Sequence, residues 1–204
     1  MPSGILSGED GVTTYRIRVL HELIGGLKET SAIRSLARDL AARLQKSRAP
    51  YEGAPVPPEL VEGRLPAGIL SAWLFVLPPE KATPPHRHPG SVQHSAAIQG
   101  GGWGWVAGRR FELQPYDPAF PEKSLLVIPE NAPHAFQPGH EGLVLMSFHT
   151  VKAEELREIP VEVGEEPLEI APSPPRAGKA RGPVRPEGRG GQGLRRPPNK
   201  GRRR

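Results

Sequence analysis

The sequence predicts a mainly β fold: an antiparallel barrel, preceded by a pair of helices and followed by a disordered basic tail. Three observations carry that reading. Over residues 68–151 the chain is a series of short apolar runs broken by glycine or proline, as suits antiparallel strands wrapped into a barrel. Ahead of them, apolar residues recur at spacings of three and four, the period of a helix. From Ala171 onward there are seven prolines, seven glycines and no aromatic residue, too little apolar surface to offset the entropy of ordering. The organisation expected is a helical segment over 1–48, the barrel with its entry arm and an edge strand over 49–170, and the tail over 171–204.

Bulk properties narrow the class. A chain of 204 residues suits one domain with appendages. Cysteine is absent, which excludes disulfides and thiolate–metal sites. The N-terminus lacks an apolar run of signal-peptide length and no stretch approaches a membrane span, so a cytoplasmic protein with no membrane partner is the expectation. The net charge of +5 is an average of opposites: residues 171–204 hold eleven Lys/Arg and one acid, whereas residues 1–170 hold sixteen Lys/Arg and twenty-one acids. The body is acidic and the tail basic. Such a tail either contacts nucleic-acid phosphates without reading sequence or acts as a solubilising extension, and its lack of stacking aromatics weighs against the former.

In chain order, the first dozen residues show no periodicity and are expected to fray. Val19, Leu20, Leu23, Ile24 and Leu27 mark a helix from Thr14, with Thr13 or Thr14 as N-cap and an end weakened by Gly25 and Gly26. His21 reads as a partly exposed residue of that helix. Ile33, Leu36, Leu40 and Leu44 mark a second helix from Thr30 or Ser31 to about Gln45. Residues 49–66 are rich in Pro and Glu and read as a loop or arm. Arg64, near its end, is either an exposed loop charge or an anchor for a substrate carboxylate, and a lone arginine favours the former. Residues 68–77 form a buried strand, with Trp73 and Phe75 on one face and Leu74 and Val76 on the other. Residues 95–98 form a strand, 100–102 a turn and 103–106 its return; Trp103 and Trp105 line a ligand pocket or pack in the wall. A short strand at 111–113, a surface loop at 115–122, and strands at 124–128 and 142–151 follow. Ile159, Val161 and Val163 alternate as an edge strand.

The chemistry concentrates in residues 84–100, PPHRHPGSVQHSAAIQG, and in Pro129 to His134. His86 and His88 lie two residues apart, so on a strand both imidazoles face one way and reach one metal ion. His134 follows a Pro-rich turn after an apolar run. Neutral imidazole is the commonest protein ligand for first-row metals, and three histidines from two distant strands leave coordination positions open. Gln93 offers a fourth ligand or a substrate contact. His94 turns to the opposite face, behind the ligands or at the surface. His140 reads as exposed. His149 shares a face with Ser147 and is either a proton donor near substrate or a satisfied interior histidine.

The spacing HxH, four residues, Gln93, six residues and Gly100 resembles the first cupin motif, and PxxxxH at 129–134 resembles the second. The resemblance covers roughly residues 69–150 and implies a double-stranded β-helix, or jelly-roll, barrel holding one metal. The usual glutamate of the first motif is here Gln93, a poorer ligand, which favours His86, His88 and His134 alone. The thiol dioxygenase branch, typified by cysteine dioxygenase, also lacks that glutamate. The chain is similar to it in Ser91, in the Gln93–Gly100 spacing and in Ser147–Phe–His149. It departs at Val151, where that branch has a tyrosine, and in lacking a secure counterpart of its substrate-binding arginine, for which Arg64, Arg109 and Arg110 are the candidates. The resemblance implies one divalent transition metal per chain, Fe(II) favoured, with O2 as co-substrate and a small thiol as substrate. Ser147 and His149 would then orient substrate and manage a proton. Pairing into homodimers is frequent among cupins. A fold does not fix a function, so an isomerase, another dioxygenase or a non-catalytic small-molecule-binding cupin are the alternatives.

Overall fold

The computed structural model describes residues 11–161. The fraying expected at the extreme N-terminus falls largely outside these residues; the basic tail and Val163 fall wholly outside them. Helix α1 (Gly11–Lys28) begins before either threonine, so Thr13 and Thr14 lie inside it rather than capping it. It also runs through Gly25 and Gly26. Two glycines cost about 1 kcal/mol each in a helix interior, but burying Leu27 beyond them returns about 2 kcal/mol, and Leu20, Leu23, Ile24 and Leu27 are all buried. Helix α2 (Ser31–Ser47) is capped by Thr30, whose Oγ1 accepts from the Ile33 amide at 3.3 Å. Its Ile33, Leu40 and Leu44 share one core with α1.

The arm at 49–66 contains structure that its composition hides. Strand β1 (Glu52–Pro55) pairs antiparallel with β2 (Ser71–Leu77), and a single turn, α3 (Pro58–Val61), lies between them. Its prolines sit where a strand and a helix tolerate them, Pro55 at the strand's end and Pro58 at the first helical position. The remaining strands are β3 (His86–Arg87), β4 (Gln93–Val106), β5 (Arg109–Leu113), β6 (Leu125–Ile128), β7 (His134–His149) and β8 (Ile159–Pro160). The expected edge strand is thus present as β8, paired with β3. No helix among the described residues is long and apolar enough to cross a membrane.

All pairings are antiparallel, and the strands form one sheet curled into a half-barrel. Its spine is the pairing of β4 with β7 along most of their lengths. The turn expected at 100–102 is absent. Instead β4 runs straight on, bent by irregularities between Ala97 and Gln99 and between Gly100 and Gly102. Gly100 has φ +68°, and a Cβ there would collide with the carbonyl oxygen of Gly142, itself at φ +77°. The glycines therefore make a bulged bend in a long ladder rather than a hairpin. The strand expected at 142–151 is likewise the second half of β7.

Strand alternation divides the sheet's two faces. Leu74 and Val76 of β2, Ala96 of β4, and Val144, Met146 and Phe148 of β7 pack with the helices. Phe75, Leu77, Ala97, Leu143 and Leu145 face the other way and pack with Leu126, Ile128 and Phe136. Gln93, Ser95, Ser147 and His149 share the parity of this second face. The loop at 115–122 is only partly a surface loop: Tyr116 is buried and its hydroxyl donates to the His21 carbonyl at 2.7 Å.

Candidate metal centre

His86 on β3 lies directly opposite His134, the first residue of β7. His88 is two residues further along. The ring centroids of His86 and His134 are 4.3 Å apart, and His88 is 5.1 Å from each. One nitrogen from each ring lies within 4.8 Å of the other two. All three side chains are buried.

The polypeptide sets the tautomer of each ring. The Nδ1 of His86 is 2.9 Å from the Pro84 carbonyl, that of His134 is 3.0 Å from the Ala132 carbonyl, and that of His88 is 2.7 Å from the Arg157 carbonyl. A carbonyl oxygen only accepts, so the hydrogen-bond network assigns the proton to Nδ1 and the lone pair to Nε2 in all three. Two of these carbonyls belong to the residue two before the histidine, in the Pro-rich turns that precede each motif. Burial holds the His134 pKa well below its ordinary value, helped by the neighbouring His86 and His88. Burial also lowers His88, although the Arg157 carbonyl opposes the shift. The His134 Nε2 is buried without a hydrogen-bond partner. Three inward lone pairs, one of them an orphaned buried acceptor, fit a single cation.

Gln93, Ser95 and Ser147 supply polarity without charge. The Gln93 amide nitrogen donates to Ser95 Oγ at 2.7 Å and lies 3.5 Å from Ser147 Oγ, while the two hydroxyls are 2.8 Å apart. Gln93 Oε1 is buried and has no partner, so an acceptor remains available beside the histidines. Gln93 and Ser147 line a cavity of about 30 Å³ together with His86 and His88. His149 does not line it. Its ring stands 5.3 Å from that of His88, with Nδ1 3.4 Å from Ser91 Oγ. Burial, then the charges of His88, His94 and His86, push its pKa down to about 3.

His94 is not at the surface. It pairs in register with Phe148 and Val127 and is buried on the helix-covered face. Burial first, and Arg16 second, lower its pKa to about 4. Arg64 is an exposed loop charge whose Nη1 donates to the Leu60 carbonyl at 3.0 Å; it lies close to Gly26 of α1. Arg109 and Arg110 are exposed, the latter stacked over Trp103 at 4.4 Å. Among the described residues no arginine or lysine lines the cavity, and neither do Trp103 or Trp105. His140 is exposed and pairs with Glu80.

Two residues of the site escaped sequence reasoning. Tyr51, just ahead of β1, and Glu158, just ahead of β8, both line the cavity. The Tyr51 hydroxyl donates to the Glu158 carboxylate, with its oxygens 2.6 and 2.8 Å away. Burial and that carboxylate push the Tyr51 pKa up. Glu158 Oε1 is 3.8 Å from His86 Nδ1. Because the pair is separated by 107 residues, no local periodicity announces it.

No protein-family model matches the chain, and no curated protein matches it in sequence. Among solved structures it is similar to an oxalate decarboxylase of Lactobacillus farciminis in complex with formate, at 20% identity and a TM-score of 0.43, covering 55% of this chain and 31% of that one. A salicylate 1,2-dioxygenase of Pseudaminobacter salicylatoxidans is similar at 13% identity and a TM-score of 0.47, covering 62% and 36%. A cupin-2 domain protein of Rhodospirillum rubrum is similar at 18% identity and a TM-score of 0.42, covering 56% and 68%. The matched region spans about a third of the first two proteins.

Proposed function

We propose that the chain is a mononuclear metal-dependent oxygenase of the cupin type, with Fe(II) as its metal, O2 as co-substrate and a small thiol as substrate. The observation that carries this reading is the cluster of His86, His88 and His134, with one nitrogen of each ring within 4.8 Å of the others and each Nδ1 engaged by a backbone carbonyl. His86, His88 and His134 would hold Fe(II) through neutral imidazoles and leave coordination positions open, and the metal would supply the redox chemistry toward a thiol and O2. The chain's own residues bind and orient the substrate. Gln93 Oε1 offers an acceptor beside the histidines, and Ser147 is held by Ser95 and Gln93. His149 acts as a positioning residue, packed against the His88 ring from outside the cavity. Phe75, Leu77, Phe136 and Leu145 exclude water from the reacting atoms. Glu158 is the single acid in the lining. Among the described residues Glu158 brings the lining's one ionised group and no Lys or Arg joins it, which favours a substrate whose far end is neutral or bears an amine.

Oxygen uptake by protein reloaded anaerobically with Fe(II), against a panel of small thiols, tests the proposal, with His86→Ala as control. The expected result is uptake that depends on one thiol, favours neutral or amine-bearing thiols over carboxylates, and disappears in the variant. No uptake from protein holding one Fe(II) per chain would move the assignment to another metal-dependent reaction, or to ligand binding without turnover.

A further inference from the structure

A second cavity, of about 730 Å³, lies between α2 and strands β2 and β7, and none of the three histidines touches it. Its size falls in the range of small-molecule sites, about 300–1,000 Å³. The floor is apolar: Ala37, Ala41 and Leu44 of α2 face Val76, Ile98 and Val144 of the sheet. Ala37 and Ala41 are one helical turn apart on the same side of α2, so their small side chains leave a trough between helix and sheet.

The rim is cationic. Lys28, Arg34, Arg38, Arg48 and Lys81 line the groove, and Glu141 is the single acid among its lining residues. Over residues 1–170, acids outnumber Lys/Arg by twenty-one to sixteen, so five cations to one acid reverses the balance of the body around it. Internal pairing leaves much of that charge available. Lys28 and Arg34 share one exposed acid, Glu29, at 3.4 and 3.8 Å. Lys81 Nζ donates to the carbonyls of Arg48 and Ala49. Neither Arg38 nor Arg48 has an acidic partner among the described residues. An apolar trough ringed by underused cations is complementary to one class of molecule.

We propose that this groove binds an amphipathic anion, a small molecule whose carboxylate meets the Arg38–Arg48 rim and whose unbranched apolar body lies over Ala37 and Ala41. A chain of about ten carbons fits within a space of this size without filling it. The proposal is independent of the metal site and of the reaction assigned to it. The attraction is between exposed groups, so affinity falls as salt is added.

Calorimetric titration of the full chain with decanoate, decanol and decyltrimethylammonium tests it. Decanoate is expected to bind saturably at one site, with the cation about tenfold weaker or worse. Arg38→Glu/Arg48→Glu, at two exposed positions, should weaken decanoate by about tenfold without weakening the cation. Ala41→Phe should abolish binding by filling the trough, with unchanged circular dichroism showing that the variant folds. His86→Ala should bind decanoate as the parent does. Equal affinity for anion and cation, indifference to the double charge reversal, or no saturable binding up to the solubility limit of decanoate would overturn the proposal.

Discussion

Each of the three clustered histidines owes its tautomer to a backbone atom. A carbonyl at 2.7–3.0 Å accepts a hydrogen bond from Nδ1–H, and the free Nε2 is what a metal requires. Burial reinforces the neutral form of His88 and His134. The same physics acts on His94, away from the site. Unfolded, it titrates at an ordinary 6.5; folded, burial and Arg16 hold it near 4. Between these values the unfolded state binds more protons, so stability is fully present above pH 6.5 and falls as pH drops towards 4. The loss is on the order of 3 kcal/mol. Denaturant midpoints measured from pH 7 to pH 4 should fall less steeply in His94→Leu than in the parent; parallel curves would count against it. At this scale the histidines were legible, because HxH and PxxxxH are local spacings that strand geometry converts into one face. The side of the sheet taken by His94 was legible by the same alternation. Its burial was not, since that depends on α1 packing over it. Tyr51 and Glu158 were hidden because their contact exists only once β1 and β8 have found their partners.

The bent pair of long strands, β4 and β7, carries the site. Gln93 at one end of β4 and His134 at one end of β7 are held in a single ladder whose bend is made by glycines. Gly100→Ala should therefore cost about 2–4 kcal/mol, combining a left-handed backbone with a collision against Gly142. Gly63→Ala has a similar φ of +69° with open space around its Cβ, and should cost only about 1 kcal/mol. Equal losses in urea unfolding of the two variants would show that the close approach at the bend contributes nothing. The glycines at 100–102 stand out in the sequence, yet a bulge and a hairpin turn use the same residues. Only the partner strand distinguishes them, and that partner begins 32 residues downstream of Gly102. β1 was missed for a related reason. Its EGAP sequence has no apolar alternation, and its strand character comes from pairing with the edge of β2.

For the molecule as a whole, one sheet serves two purposes. One face packs with the helices and continues the large apolar core; the other carries a small polar, uncharged patch of Gln93, Ser95, Ser147 and His149 among aliphatic residues. The mainly β class and the helical pair were legible because apolar periodicity reports on faces buried against neighbours. The sheet's curl and the strap over residues 152–161, which supplies the Arg157 carbonyl and Glu158, are consequences of long-range pairing. His86, His88 and His134 form the cluster in which this assembly would seat one metal ion. Metal content per chain, measured after anaerobic reloading with Fe(II) and removal of excess, tests it most directly in the parent and in His134→Ala. One ion per chain is expected in the parent and none retained in the variant; an empty parent, or a variant as fully loaded as the parent, would rule the three-histidine site out.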